Sequence, residues 1–116
     1  MIETSRIHAW HAHVYYDAAS KPAAGTLRDA LAQRWPGVLL GRWHDVPVGP
    51  HPTAMYQLAF SVEEFAGLVP FLALNRGELT VLVHPESGRP KDDHLRHAMW
   101  LGAILPLNGD LLPETD

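Results

Sequence analysis

The order of the predicted elements, strand, helix, strand, strand, helix, strand, indicates an α+β fold of the ferredoxin-like type. Segments rich in aromatic and β-branched residues alternate with segments that repeat apolar residues at helical spacing. In this split β-α-β arrangement, two helices cover one face of a four-stranded antiparallel sheet. The chain of 116 residues fits a single domain over residues 1–116, with residues 93–101 and the tail as a C-terminal extension.

The first strand is predicted over residues 7–16, where aromatic, β-branched and histidine residues dominate. An amphipathic helix follows, because Leu27, Leu31 and Trp35 recur at helical spacing until Pro36 stops the pattern. These two elements form the first β-α unit of the predicted fold.

The remaining elements are predicted from two strand-like segments, a helix start and a last strand. Strands are expected over residues 38–46 and 53–60, joined by a loop rich in glycine and proline. Ser61 and Glu64 match a capping box, so a second helix begins there. A fourth strand over residues 79–84 completes the unit.

Composition restricts the classes of function. Thirteen acidic residues against nine basic ones, without a basic stripe, disfavour nucleic-acid binding. The lack of cysteine excludes disulfides, thiolate metal sites and cysteine nucleophiles. No apolar run approaches the roughly 18 residues of a membrane span, and the amino terminus lacks the pattern of a signal peptide. We therefore expect a cytoplasmic protein with neither nucleic-acid nor membrane partners.

Histidines are the main candidates for chemistry. His11 and His13 lie two residues apart in the first strand, so their Cβ atoms share one face about 6–7 Å apart. His84 ends the fourth strand, which lies beside the first in this fold, and His94 follows the next polar segment. These four imidazoles could bind one metal ion, and neutral imidazole suits iron(II), zinc, copper and nickel.

The composition of that metal site stays open from the residues alone. Three histidines would suffice for zinc or iron. Two histidines with a carboxylate from Glu86, Asp92 or Asp93 would leave open positions for oxygen and substrate. Alternatively, the strand histidines bind backbone carbonyls or line a subunit interface.

Four other residues are candidates for acid–base or substrate-binding roles. His51 lies between two prolines that fix its backbone and aim its ring, although a solvated loop position explains it equally well. Tyr15 shares the face of the histidine pair and could orient a substrate, or be a core tyrosine. Gln57 projects from the same face. Trp100 buries the terminal segment or forms an aromatic wall for a planar substrate.

Several stretches resemble the DOPA 4,5-dioxygenase family of the fungal and bacterial kind. They are residues 11–17 (HAHVYYD), 49–51 (GPH), 74–77 (LNRG), 84–88 (HPESG), 93–94 (DH) and 98–102 (AMWLG). The similarity covers nearly the whole chain. One departure is Glu86-Ser87, which stands where threonine is frequent before the glycine.

The resemblance implies a ferredoxin-like domain, often dimeric, that performs extradiol cleavage of a catechol such as L-DOPA with non-haem iron(II) and O2. His11, His13, His84 and His94 match the motif histidines of the family, and His51 matches a further one. Iron(II) is therefore the expected cofactor, with zinc as a substitute. The expected partners are a small aromatic substrate, O2 and a second copy of the chain.

The chemistry of catechol cleavage agrees with these residues. A histidine that binds no metal, His51 foremost, could accept a catechol proton, and Arg42 or Arg89 could pair with the carboxylate of an amino-acid substrate. Two alternatives remain. One is a dimeric ferredoxin-like binding module with incidental metal binding. The other is a hydrolase or isomerase at a zinc site that needs no oxygen.

Overall fold

The computed structural model describes residues 1–116 and contains three α-helices and a five-stranded antiparallel sheet. The helices are α1 (Lys21–Arg34), α2 (Phe65–Asn75) and α3 (Pro90–Leu95). The strands are β1 (Ala9–Tyr15), β2 (Leu39–Leu40), β3 (Met55–Phe60), β4 (Thr80–Glu86) and β5 (Met99–Leu101). Their order across the sheet is β2-β3-β1-β4-β5. The predicted ferredoxin-like α+β fold is confirmed, with β5 and α3 added to it.

Alternation along the central strands separates two faces of the sheet. Val14 of β1, Leu58 of β3 and Val83 of β4 are fully buried in one core with Leu31 of α1 and Leu72 of α2. Each such side chain contributes about 1.5–3 kcal/mol on burial. Because a slip of one residue would exchange the two faces, this core also fixes which residues lie on the open face.

The capping-box hydrogen bonds predicted after β3 are present, but they lie in a turn over residues 61–64, and α2 itself begins at Phe65. The backbone N–H of Ser61 donates to the Glu64 carboxylate at 2.9 Å, and the N–H of Glu64 donates to the Ser61 hydroxyl at 3.1 Å. Pro70 lies inside α2, and the helix is followed by Gly77, whose φ of 57° turns the chain toward β4. None of the helices has the length and apolar character that crossing a bilayer requires.

The strand predicted over residues 38–46 is wrong in extent. Only Leu39–Leu40 pair in the ladder, and His44 forms an isolated bridge to Met55. Between them, Trp43 leaves the strand and packs edge-on against two tyrosines of the core. Aromatic packing therefore outweighs the local preference for strand.

The path of the C-terminal segment, residues 102–116, is a feature that the sequence did not predict. Leu105 and Leu107 pack on an apolar cluster of the face opposite the helices, formed by Tyr15, Met55 and Leu82. Backbone hydrogen bonds join this segment to residues of two loops: Asn108 to Pro50, and Asp116 to Gly88. The C-terminal segment thus covers the apolar part of the open face, and polar residues occupy the rest of that face.

Candidate functional site

Five histidines from four parts of the chain converge on the polar part of the open face. Neighbouring ring centroids lie between 3.8 and 6.2 Å apart. The members are His11 and His13 of β1, His51 of the loop before β3, His84 of β4 and His94 of α3. All four predicted metal ligands and the predicted acid–base histidine therefore meet in one cluster, which we call the histidine cluster.

Strand register explains why the cluster forms. His11 lies directly opposite His84 across the β1–β4 pair, and His13 lies opposite Gln57 across the β1–β3 pair. Opposite residues on antiparallel strands have Cβ atoms about 4.5–5.5 Å apart, so their side chains meet on one face. Gln57 is half-buried beside the cluster, as expected.

Three of the five imidazoles have Nδ1 next to a carboxylate or backbone carbonyl oxygen. The pairs are His11 with the Glu86 carboxylate (3.0 Å), His84 with the Pro85 carbonyl (3.0 Å) and His94 with the Pro90 carbonyl (2.7 Å). Because these oxygens only accept hydrogen bonds, Nδ1 carries the hydrogen in the neutral ring and Nε2 keeps a lone pair. Metal-binding histidines have this arrangement.

The Nε2 atoms of His13 and His84 face each other at 3.1 Å. Two nitrogen ligands about 2.0–2.1 Å from one ion, at angles of about 90–110°, lie roughly 2.9–3.4 Å apart. The observed separation fits two ligands of a single ion. In addition, Nδ1 of His13 is buried without any hydrogen-bond partner, which is costly unless the ring has another function.

Two overlapping groups of three histidines could hold a metal ion. One is His11, His13 and His84, and the other is His13, His51 and His94. Within each group, one ligand atom per residue lies within 4.8 Å of the others. His13 belongs to both groups and is therefore the central residue of the cluster.

Burial favours the neutral form of four of these imidazoles, those of His13, His51, His84 and His94. Desolvation is the largest cause that lowers the pKa of His13, and nearby imidazoles lower it further. The same causes bring the pKa of His51 and of His84 to about 4 and lower that of His94. Neutral imidazole is the form that binds metal, so the cluster is ready for an ion at pH 7.

We expect the metal-free protein to lose stability between pH 7 and pH 5. The pKa of His51 is about 6.5 in an unfolded chain and about 4 in the folded one. As the pH falls, the unfolded chain therefore binds the proton before the folded chain does. The free energy of unfolding decreases between pH 6.5 and about pH 4. Between pH 7 and pH 5, His51 alone contributes about 2 kcal/mol.

Urea unfolding with EDTA at pH 7, 6 and 5 measures this effect. His51→Gln should make stability less dependent on pH, whereas His8→Gln, at an exposed position, should not. An unchanged pH dependence in His51→Gln would contradict the prediction.

Tyr15 links the histidine cluster to an aromatic wall. Its hydroxyl lies 2.7 Å from Nδ1 of His51. Burial raises the pKa of the Tyr15 phenol, so the group stays protonated at neutral pH. The Trp100 ring lies nearly parallel to that of Tyr15, with centroids 6.0 Å apart. Tyr15 is 3% exposed beneath the C-terminal segment, whereas Trp100 is half-buried, so Trp100 is the one that could contact a planar substrate.

The two arginines considered as counter-charges lie elsewhere. Arg42 is exposed after β2, and Arg89 lines a cavity of about 620 Å³ with Arg6 and Trp10, whose lining contains none of the five clustered histidines. No hydrogen bond or ion pair joins Arg42 or Arg89 to the cluster. The side chain of Arg42 is thus not part of the site in this structure.

Asp93 is a structural member of the site that sequence reasoning considered only as a ligand. It is 1% exposed and accepts hydrogen bonds from the Ser87 backbone N–H at 2.8 Å and the Ser87 hydroxyl at 2.6 Å. His97 lies 3.4 Å from the same carboxylate. These contacts hold the loop after β4 against α3 and so position His94. In the sequence, the one indication of this role of Asp93 is its position directly before His94.

Comparison with known proteins identifies relatives of this chain. A sequence model of the Dopa 4,5-dioxygenase family matches residues 10–111. A DOPA 4,5-dioxygenase of Amanita muscaria is 38% identical over 117 residues, which covers 94% of this chain and 51% of that protein. An uncharacterized 21.2 kDa protein of Botryotinia fuckeliana is 35% identical over 115 residues, which covers 90% of this chain and 63% of that protein. The chain thus spans between about half and two thirds of these curated relatives.

A solved structure is similar over almost the full length. The crystal structure of a candidate dioxygenase from Nostoc punctiforme has a TM-score of 0.93 to this chain and 49% sequence identity. The match covers 96% of both chains. The fold and its connections are therefore shared with that protein.

Proposed function

Because the chain belongs to the Dopa 4,5-dioxygenase family, we propose that it is an extradiol ring-cleaving dioxygenase of a catechol such as L-DOPA, dependent on non-haem iron(II). The family and its relatives support the coarser class, an oxidoreductase of the dioxygenase type that uses a small molecule and O2. The observation that carries the finer proposal is the histidine cluster, with its facing Nε2 atoms and free lone pairs.

The residues of the cluster fit a divalent metal ion. His11, His13 and His84 would hold it, with His94 beside them. Imidazole accepts both iron(II) and zinc. Iron is the proposed metal because zinc has no redox chemistry, so zinc would occupy the site only as an inactive substitute. When bound, iron would bring the catechol oxygens and O2 together and allow electrons to pass between them.

His51 is the proposed proton acceptor for the substrate. A catechol that binds through its oxygens must lose protons, and a neutral imidazole can accept one. With its pKa near 4 in the free protein, His51 is neutral at pH 7. A bound catecholate would raise that pKa, because a nearby negative charge favours the imidazolium. With Nδ1–H of His51 donating to the Tyr15 hydroxyl oxygen, the ring is held in place and Nε2 is free to accept the proton.

The overall reaction balances without another oxidant. Both atoms of O2 enter the product, and the carbon–carbon bond beside one hydroxyl of the catechol breaks. The product is an open-chain semialdehyde acid. One catechol therefore consumes one O2.

The test is anaerobic reconstitution with iron(II), followed by measurement of O2 uptake and of the yellow ring-opened product with a series of catechols. We expect equal consumption of catechol and O2, and no turnover after loading with zinc. A folded, iron-loaded protein that consumes no O2 with any catechol would contradict the proposal. Metal well below one equivalent and no turnover would favour the binding module instead.

Tyr15→Phe should lower kcat by about 10-fold to 100-fold with unchanged metal content, because it removes only the hydroxyl at His51. Oxygen uptake and iron analysis measure the two effects. Tyr16→Phe is the matched control, since its hydroxyl bonds to Asp45 and its ring lies in the core on the helix side. Equal activity of the two variants would exclude Tyr15 from catalysis.

We also propose that the chain forms a cytoplasmic homodimer built on a single domain. The apolar part of the open face is covered by the C-terminal segment, so a dimer would have to use another surface. Sedimentation of the purified chain tests the assembly.

A further inference from the structure

We propose that Glu86 is the positioning residue of the histidine cluster, which fixes the hydrogen of His11 on Nδ1 so that Nε2 of His11 faces the metal ion. The proposal rests on the proposed function in that the cluster holds a metal. Nothing in the relatives' names assigns a role to this residue.

The geometry places Glu86 behind the imidazoles. Glu86 follows His84 by two residues in β4, so both side chains project from the open face. His84 lies directly opposite His11, and Glu86 lies diagonal to it. Its carboxylate lies 3.0 Å from Nδ1 of His11 and 3.7 Å from Nδ1 of His84. The backbone carbonyl of Glu86 accepts the N–H of His8 at 2.9 Å, which anchors the strand end.

This placement favours a supporting role over direct metal binding. Nδ1 and Nε2 lie on opposite sides of an imidazole ring, and the carboxylate is on the Nδ1 side of both His11 and His84. Since their Nε2 atoms are the ones free for an ion, Glu86 lies on the far side of the rings from it. A carboxylate behind a histidine fixes the ring and makes Nε2 a better electron donor.

Among the three oxygens that accept from Nδ1 of a clustered histidine, only that of Glu86 belongs to a side chain and can be removed by substitution. His84 and His94 give their Nδ1 hydrogens to backbone carbonyls, which substitution leaves in place. His11 depends on a side chain and is 25% exposed, so water competes for its Nδ1. Without the carboxylate, neutral histidine generally prefers its hydrogen on Nε2, and that form cannot bind a metal through Nε2.

The first test needs no metal. Long-range proton–nitrogen NMR of the metal-free protein at neutral pH reports which nitrogen of His11 carries the hydrogen. We expect Nδ1–H in the wild type and in Glu86→Gln, whose amide oxygen still accepts, and Nε2–H in Glu86→Ala. The same ring state in the wild type and Glu86→Ala would overturn the proposal, whatever the enzyme does with catechols.

The second test is titration with Co²⁺, followed by its visible absorption. We expect Glu86→Ala to bind Co²⁺ about 10-fold to 100-fold more weakly than the wild type, with Glu86→Gln in between. Glu78→Ala, at an exposed position before β4, should bind as the wild type does. Equal losses in both Glu86 variants would make Glu86 a ligand and overturn the proposal. No Co²⁺ binding by the wild type would instead count against the proposed function, and the NMR result would still decide the role of Glu86.

Discussion

His13→Ala should abolish stoichiometric metal binding and oxygen uptake together. His13 is the residue that both histidine groups share, and its Nε2 lies 3.1 Å from that of His84. Loss of a residue that only supports a ligand typically weakens metal binding by about 10-fold to 100-fold, so loss of a shared ligand should exceed about 100-fold. Metal analysis after dialysis and oxygen uptake measure the two effects.

The fold should survive this substitution. His13 makes a single side-chain hydrogen bond, and one of its nitrogens has no partner, so its removal costs little hydrogen bonding. A far-UV circular dichroism spectrum like that of the wild type checks this. His44→Ala is the control, because His44 is a half-buried histidine that lies outside both groups. A His13→Ala protein that keeps one equivalent of metal would refute the proposed metal site.

Asp93→Ala should destabilise the protein by about 2–3 kcal/mol. The substitution leaves the backbone N–H and the hydroxyl of Ser87 without their buried acceptor, and hydrogen bonds to a charged group are worth about 1.5–3 kcal/mol. It also frees the loop after β4 from α3, so His94 loses its support. We therefore expect weaker metal binding along with the loss of stability.

Urea unfolding of Asp93→Ala and Asp92→Ala provides the comparison. Asp92 is the neighbouring acidic residue, partly exposed, with Arg96 3.4 Å away on the helix surface. Such a surface pair contributes about 0.5 kcal/mol or less, so Asp92→Ala should stay near the wild type. A similar decrease in the free energy of unfolding in both variants would show that the buried hydrogen bonds of Asp93 stabilise the protein no more than the surface pair of Asp92 does.

Part of the site was predictable because strands have a period of two. The spacing of His11 and His13 is enough to place both on one face, whichever way the sheet is assembled. Adding His84 requires the strand order, which the split β-α-β arrangement supplies by pairing the fourth strand with the first. The side of the sheet that carries the site follows from Val14 and Leu58, which had to face the helices.

Other features depend on contacts that local patterns do not reveal. The aromatic packing of Trp43 ends β2 early, and it depends on two tyrosines that are distant in sequence. The C-terminal segment has no helical or strand-like repeat, and its path is set by Leu105 and Leu107 on a distant apolar cluster. For Glu86, the sequence gives a carboxylate near His84, but only coordinates show that it lies behind the rings.

His13 and His84 are 71 positions apart along the chain, yet their nitrogens touch in the folded state. An unfolded polypeptide offers no comparable site, so an ion bound by the native form would shift the equilibrium away from denaturation. At a free concentration about 100 times the dissociation constant, this linkage is worth roughly 2.7 kcal/mol, a sizeable fraction of the 5–15 kcal/mol typical of small proteins. Depletion of the ion would then make the protein less stable and shorter-lived as well as inactive.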